Sequence, residues 1–212
     1  MSNTTKAGAM TLIIGWLAYI GLMAVHPSHT GGPSLGHIDL NDAVHWTGLI
    51  IAPLLAYGYF ETSRHLELSR PLPVLALCVM TFSLLAGMGA GVMSGLVQPQ
   101  ISQAAIDGEM SPDLLRALRH QTYWINQGFA SIHYALGAIG IGIYGLAWMG
   151  RSGGRRIAIG GLAVSGLFLA WLATGTWRPD LHGALFATLA IGAWSIASAL
   201  AMRREVNDRD PA

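Results

Sequence analysis

The sequence predicts an all-α fold: a six-helix transmembrane bundle with both termini in the cytoplasm. Three observations carry this. Hydrophobic residues make up 52% of the chain and charged residues 11%, whereas soluble domains are near half apolar and about a quarter charged. Six segments approach or exceed the roughly 20 apolar residues that a membrane crossing needs, and none contains Asp, Glu, Lys or Arg. The basic residues between these segments fall unevenly on the two sides.

The expected spans are residues 7–25, 43–60, 72–97, 121–150, 157–176 and 182–202, in a single integral membrane domain covering 1–212. The first has only Lys6 ahead of it, and Met23-Ala24-Val25-His26 lacks a small-x-small cleavage pattern. It reads as a retained helix rather than a signal peptide. Lys6, Arg64, Arg70, Arg151, Arg155, Arg156, Arg203, Arg204 and Arg209 lie on one side; Arg116, Arg119 and Arg178 lie on the other. The richer side is expected to be cytoplasmic, in a cell membrane of the bacterial inner-membrane type.

The arginine-rich loops and tail of that side then serve orientation rather than forming a binding patch. With a net charge of +1 and no basic block interleaved with aromatics, nucleic acid is not an expected partner. The lipid bilayer is, and other membrane subunits are further candidates. The lone Cys78 sits in an apolar run, which leaves no disulfide framework or CxxC site.

Between the spans, Pro27–Pro33 is dense in turn formers. Ser111-Pro112-Asp113 has the form of a helix start. The amphipathic stretch Leu114–His120 is expected to lie along the outer interface before turning into the fourth span. Pro53 is expected to kink the second span. Gly87, Gly91 and Gly95 recur every four residues on one face of the third, where a neighbouring backbone can approach closely.

The odd spans end alike, in Val25-His26-Pro27, Val97-Gln98-Pro99 and Trp177-Arg178-Pro179. The even spans open alike, with Val44-His45, Ile132-His133 and Leu181-His182, each with a glycine close by. Three copies of a helical hairpin is one reading. The chance likeness of apolar helices is the other.

Seven of the eight histidines fall on or near the outer side; only His65 does not. Counting back from Glu61 and Gly150 puts His45 and His133 level, roughly 24–26 Å from the inner boundary at about 1.5 Å per residue. His182 stands about one turn higher. Imidazole in hydrocarbon needs a partner, and ionisable groups within spans are functional candidates. The plainer reading is an interfacial ring bonded to water or a carbonyl, and it suits the loop residues His29, His37 and His120 best.

Four functions remain open on these residues. Haem b between His45 and His133 would use Gly48 and Gly137 as room for the macrocycle, with Arg116, Arg119 and Arg178 for the propionates. A copper or zinc ion would take His45, His133, His182 or His26, with Asp42 or Asp180 in support and Met88 or Met93 as thioether donors. A metal-free transporter or channel would relay or bind protons on the histidines, although the spans hold no carboxylate. A non-catalytic packing or assembly subunit would use its glycine faces against a larger complex. Asn126 and Gln127 are expected first as caps of the fourth span and second as lining of an outer cavity. No fingerprint of nucleophilic or nucleotide chemistry falls in a suitable context.

Overall fold

The computed structural model describes residues 3–26, 34–35, 38–176 and 181–209. They form six long rods, each long and apolar enough to cross a membrane. The rods are α1 (Asn3–Ala24), α2 (Leu40–His65), α3 (Pro71–Val92) continuing through a π-helical turn (Met93–Val97) into α4 (Gln98–Ile106), α5 (Pro112–Met149), α6 (Arg155–Ala173) and α7 (Leu181–Arg209). Before α2, β1 (Ser34–Leu35) pairs antiparallel with β2 (Ile38–Asp39) in a two-residue ribbon. Consecutive rods pack side by side, and α7 closes the ring against α1.

Several boundaries differ from the sequence expectation, and three of them have an identifiable cause. Helix α2 runs through Pro53 and past residue 60 to His65, because its last-turn charges have partners. Arg64 Nη1 donates to Glu61 Oε1 at 2.8 Å, and His65 Nε2 lies 3.1 Å from Glu205 Oε2. The third rod does not stop at Val97 but reaches Ile106. Pro99 lacks an N–H and its ring would crowd the carbonyl four residues back; the wider π turn immediately before it relieves that crowding.

Helix α5 starts at Pro112, with the Leu114 N–H donating to the Ser111 cap at 3.3 Å, and continues unbroken to Met149. Nothing between His120 and Gln121 ends a helix, so Leu114–His120 is the first part of that rod, not a separate interfacial helix. At 38 residues, α5 is about 57 Å long. That exceeds a hydrocarbon thickness of about 30 Å. Its first turns and α4 therefore stand beyond the membrane-crossing zone, tied by the Arg119 guanidinium donating to Ser102 Oγ at 3.0 Å.

Many large apolar side chains along the rods are exposed. Leu167 is 74% exposed, Ile50 65% and Phe82 64%. A patch of that kind is a liability in water but the natural surface in lipid. The interior, by contrast, is aromatic with polar tips. Trp16 Nε1 donates to Tyr59 OH (3.0 Å), which meets Ser195 Oγ (2.7 Å). Tyr144 OH donates to the Tyr59 carbonyl (3.0 Å), and Trp148 Nε1 to Ser198 Oγ (3.0 Å). With no hydrophobic force between helices in lipid, such bonds and close packing hold the rods together. Gly145 contributes the packing: a Cβ there would stand 3.0 Å from the Ala158 carbonyl of α6.

At the end carrying the described termini, Arg151 bridges Glu67 (3.3 Å) and Glu205 (3.0 Å), and Glu205 also meets His65. This lattice joins α2, the α5–α6 turn and α7. The opposite end of the bundle, between α1, α2, α3, α5 and the start of α7, holds a cavity.

Candidate functional site

Two histidines in this end are set in the same way. His45, in the second turn of α2, directs Nδ1 at the Asn41 carbonyl, 2.7 Å away. His133, in the middle of α5, directs Nδ1 at the Ser83 carbonyl of α3, 2.8 Å away. A carbonyl only accepts, so each ring donates its Nδ1–H. A neutral ring then carries its lone pair on Nε2. Ser83 fixes the second ring further, since its hydroxyl donates to the His133 carbonyl (2.7 Å). The rings are 7% and 5% exposed.

The glycine row of the third rod provides the seats. A Cβ on Gly95 would collide with the Cβ and Cγ of His45, and one on Gly87 would lie 2.9 Å from His133 Nδ1. Gly91, between them, meets nothing nearer than Leu49 Cδ2 at 3.8 Å. Two of the three glycines therefore make room for an imidazole rather than for a backbone. Gly95 belongs to the π turn, a distortion that recurs at functional positions.

Gly87 and Gly95 are eight residues apart, which is about 12 Å of helix. The two histidines are thus stacked at different depths, not level. Counting from Glu61 understated the height of His45, because α2 continues four residues further. Helix α1 repeats the offset. Tyr19 stands 6.5 Å from the His133 ring, whereas His26, seven residues on, reaches His45.

His26 and His45 form a pair. Their Nε2 atoms are 3.2 Å apart and their ring centroids 4.9 Å, at 76°. With His45 donating through Nδ1, its Nε2 accepts from the Nε2–H of His26. The separation also suits two nitrogens on one ion: bonds of about 2.0–2.1 Å meeting near the tetrahedral angle put them about 3.3 Å apart. Among the described residues no group of three or more His, Cys, Asp or Glu is placed to hold a metal. An ion here would have two protein nitrogens and open positions.

Below the pair the cavity extends for about 370 Å³ to His133. Its wall is mostly apolar, and Gly48, Met88, Asn126 and Gln127 all line it. The two amides face this space rather than capping a helix, because α5 has no end near them. The other expected site residues lie elsewhere. Gly137 is buried away from the cavity, where an added Cβ would stand 3.1 Å from Ile191 Cδ1 and 3.3 Å from Ser83 Oγ. His182 is exposed on the first turn of α7, outside the cavity wall.

Arg116 is solvent-exposed beside Asp113 (3.6 Å), and Arg119 is occupied with Ser102, both on the α4–α5 projection. His120, also there, accepts from Trp124 Nε1 at 2.9 Å. Asp42 is exposed. Arg178, Asp180, His29 and His37 lie outside the described residues.

Sequence reasoning missed Ser83 and Tyr19 as partners of His133, and misassigned the glycines. The signal was present in Ser83, Gly87, Gly91 and Gly95. Small residues every fourth position mark a face that something must fill, without saying that the filling is imidazole.

Comparison of the chain with protein-family models, curated proteins and solved structures gives no match. Fold and cavity together define the class: a helical bundle with six membrane-type spans and a histidine-lined hollow between five of them.

Proposed function

We propose that this chain is a multi-pass protein of a cell membrane, of the bacterial inner-membrane type. Both termini are cytoplasmic and the hollow opens toward the outer side. It takes a transition-metal ion, copper or zinc, for a metal-handling or redox role. The His26–His45 pair carries the proposal: two imidazole Nε2 atoms 3.2 Å apart, one of them oriented by a carbonyl bond on its Nδ1. That bond fixes the tautomer that ligates, the usual arrangement behind a metal-bound histidine. The basic bias of the loops supports the orientation.

Haem b is the second reading. His133 supports it, with Nδ1 on a carbonyl and Nε2 buried without a hydrogen-bond partner, as an axial ligand requires. Against it, His45 Nε2 meets His26 Nε2 at 3.2 Å.

Metal analysis and a visible spectrum of the purified protein test these readings. The ion reading expects near-stoichiometric copper or zinc, lost in both His26→Ala and His45→Ala. A Soret band lost in His133→Ala would replace it with haem. A folded sample with neither signal would leave a packing or transport subunit that works without metal.

A further inference from the structure

We infer that the cavity binds a medium-chain carboxylate amphiphile, its head on the ion of the His26–His45 pair and its tail in the apolar depth below. This names the ligand of the proposed ion site and rests on that reading.

The wall changes in polarity along its length. Ten residues separate the outermost and innermost lining positions on each of two rods, from His45 to Leu55 on α2 and from Ser94 to Leu84 on the third rod. The same number separates His26, just past the end of α1, from Trp16. Each interval corresponds to about 15 Å of helix. The outer member is a histidine or a serine each time, and the inner one is a leucine or a tryptophan. At the lower level the Trp16 Nε1–H is taken by Tyr59 (3.0 Å) and the Tyr134 hydroxyl meets Thr188 Oγ1 (3.2 Å), which leaves ring carbon for a ligand.

Helix α5 repeats the gradient from the other direction, because it runs antiparallel to α3. His133 sits at Gly87. Asn126, seven residues earlier, therefore stands about 10.5 Å nearer the outer end. Gly95, the seat of His45, is about 12 Å above Gly87. Asn126 and its neighbour Gln127 are thus level with the histidine pair, and Ala130 lies one turn below them.

Charge fixes the head. Two neutral imidazoles leave a divalent ion with its full charge, and among the described residues no Asp or Glu lines the cavity. A charge left uncompensated in such surroundings is costly, so the ligand that fills the open positions must be an anion. A carboxylate oxygen binds zinc at about 2.0–2.2 Å. Its second oxygen can accept from the amide NH₂ of Asn126 or Gln127.

Depth fixes the tail. The cavity of about 370 Å³ falls in the range of small-ligand pockets, about 300–1,000 Å³, and a hydroxide or chloride would leave its apolar part unfilled. With C–C bonds of about 1.5 Å, an extended chain of ten to twelve carbons reaches the lower end. A carboxylate amphiphile in the leaflet at this end of the bundle already has its head at the surface and its tail toward the midplane, so it enters without turning over.

The test uses full-length protein in detergent, loaded with copper(II), which exceeds zinc in affinity for nitrogen sites, and gel-filtered. Acetate, decanoate and hexadecanoate are titrated in turn. Electron paramagnetic resonance of the copper reads the head, and dialysis gives the free acid. Decanoate should shift the copper signal saturably and bind at least about a hundredfold more tightly than acetate, because each buried CH₂ contributes. Hexadecanoate should be no tighter than decanoate, since the depth is used up. Ala130→Phe fills the path of the tail without touching either histidine. It should keep its copper and its acetate affinity while losing decanoate affinity at least about tenfold. Asn126→Leu should weaken acetate and decanoate alike, at least about threefold.

A protein that takes up no copper sinks the ion reading and the inference with it. A loaded protein that binds acetate and decanoate equally, or whose copper signal ignores both, sinks the inference alone. So does wild-type behaviour of either variant. A co-purified phospholipid, one per chain and not displaced by decanoate, would overturn it in favour of a phospholipid acyl chain.

Discussion

Substituting alanine along the glycine row of the third rod gives an experiment with its own control. Alanine is favoured over glycine in a helix by about 0.5–1 kcal/mol. At Gly91 the new methyl would meet only Leu49 Cδ2 at 3.8 Å, an ordinary contact. Gly91→Ala is therefore expected to be neutral or stabilising by up to about 1 kcal/mol.

At Gly95 the same methyl would occupy the position of the His45 Cβ and Cγ, atoms next to the backbone that cannot swing aside. Overpacking of this kind costs about 1–3 kcal/mol. Subtracting the helix gain leaves Gly95→Ala destabilised by about 0–2.5 kcal/mol and, more telling, about 1–3 kcal/mol below Gly91→Ala, because the helix gain is common to both. Relief by moving α2 away would also separate His45 from His26. Reversible unfolding in mixed micelles titrated with SDS reads the stability, and metal content reads the pair. If the two variants are equally stable and equally loaded, the seating of His45 on the π turn is refuted.

Other consequences are more local. Tyr59→Phe removes the hydroxyl that accepts from Trp16 Nε1 and meets Ser195; the same SDS titration should show a loss of about 1–2 kcal/mol. Arg151→Ala breaks two partly buried contacts, to Glu67 and Glu205, and should lower stability by about 1–3 kcal/mol. Arg116→Ala, on the exposed projection, should be silent. In a Cys78→Ser background, Arg116→Cys should react with a membrane-impermeant maleimide on intact cells, and Arg155→Cys only after permeabilisation. The reverse pattern would invert the proposed orientation.

The helical rods were legible because lipid imposes a simple rule: backbone groups must bond within the helix and side chains must be apolar. Composition and charge-free segments express that rule directly, so the six spans, though not their ends, could be read from residue types. The ends depended on partners far along the chain, as with His65 and Glu205, or on a π turn accommodating Pro99. Neither is a local property.

The candidate site divides in the same way. That histidines enter three spans near one end is plain in the sequence. Which of them converge is set by helix rotation and relative height, and these follow from packing. Small differences moved His182 to the surface and brought His26, beyond the end of α1, into contact with His45. The chain alone determined a membrane bundle with imidazoles in its upper halves, because hydropathy acts residue by residue. Only the tertiary structure decided that Ser83, Gly87 and Gly95 would hold those rings, because a side chain's partner depends on where another helix passes.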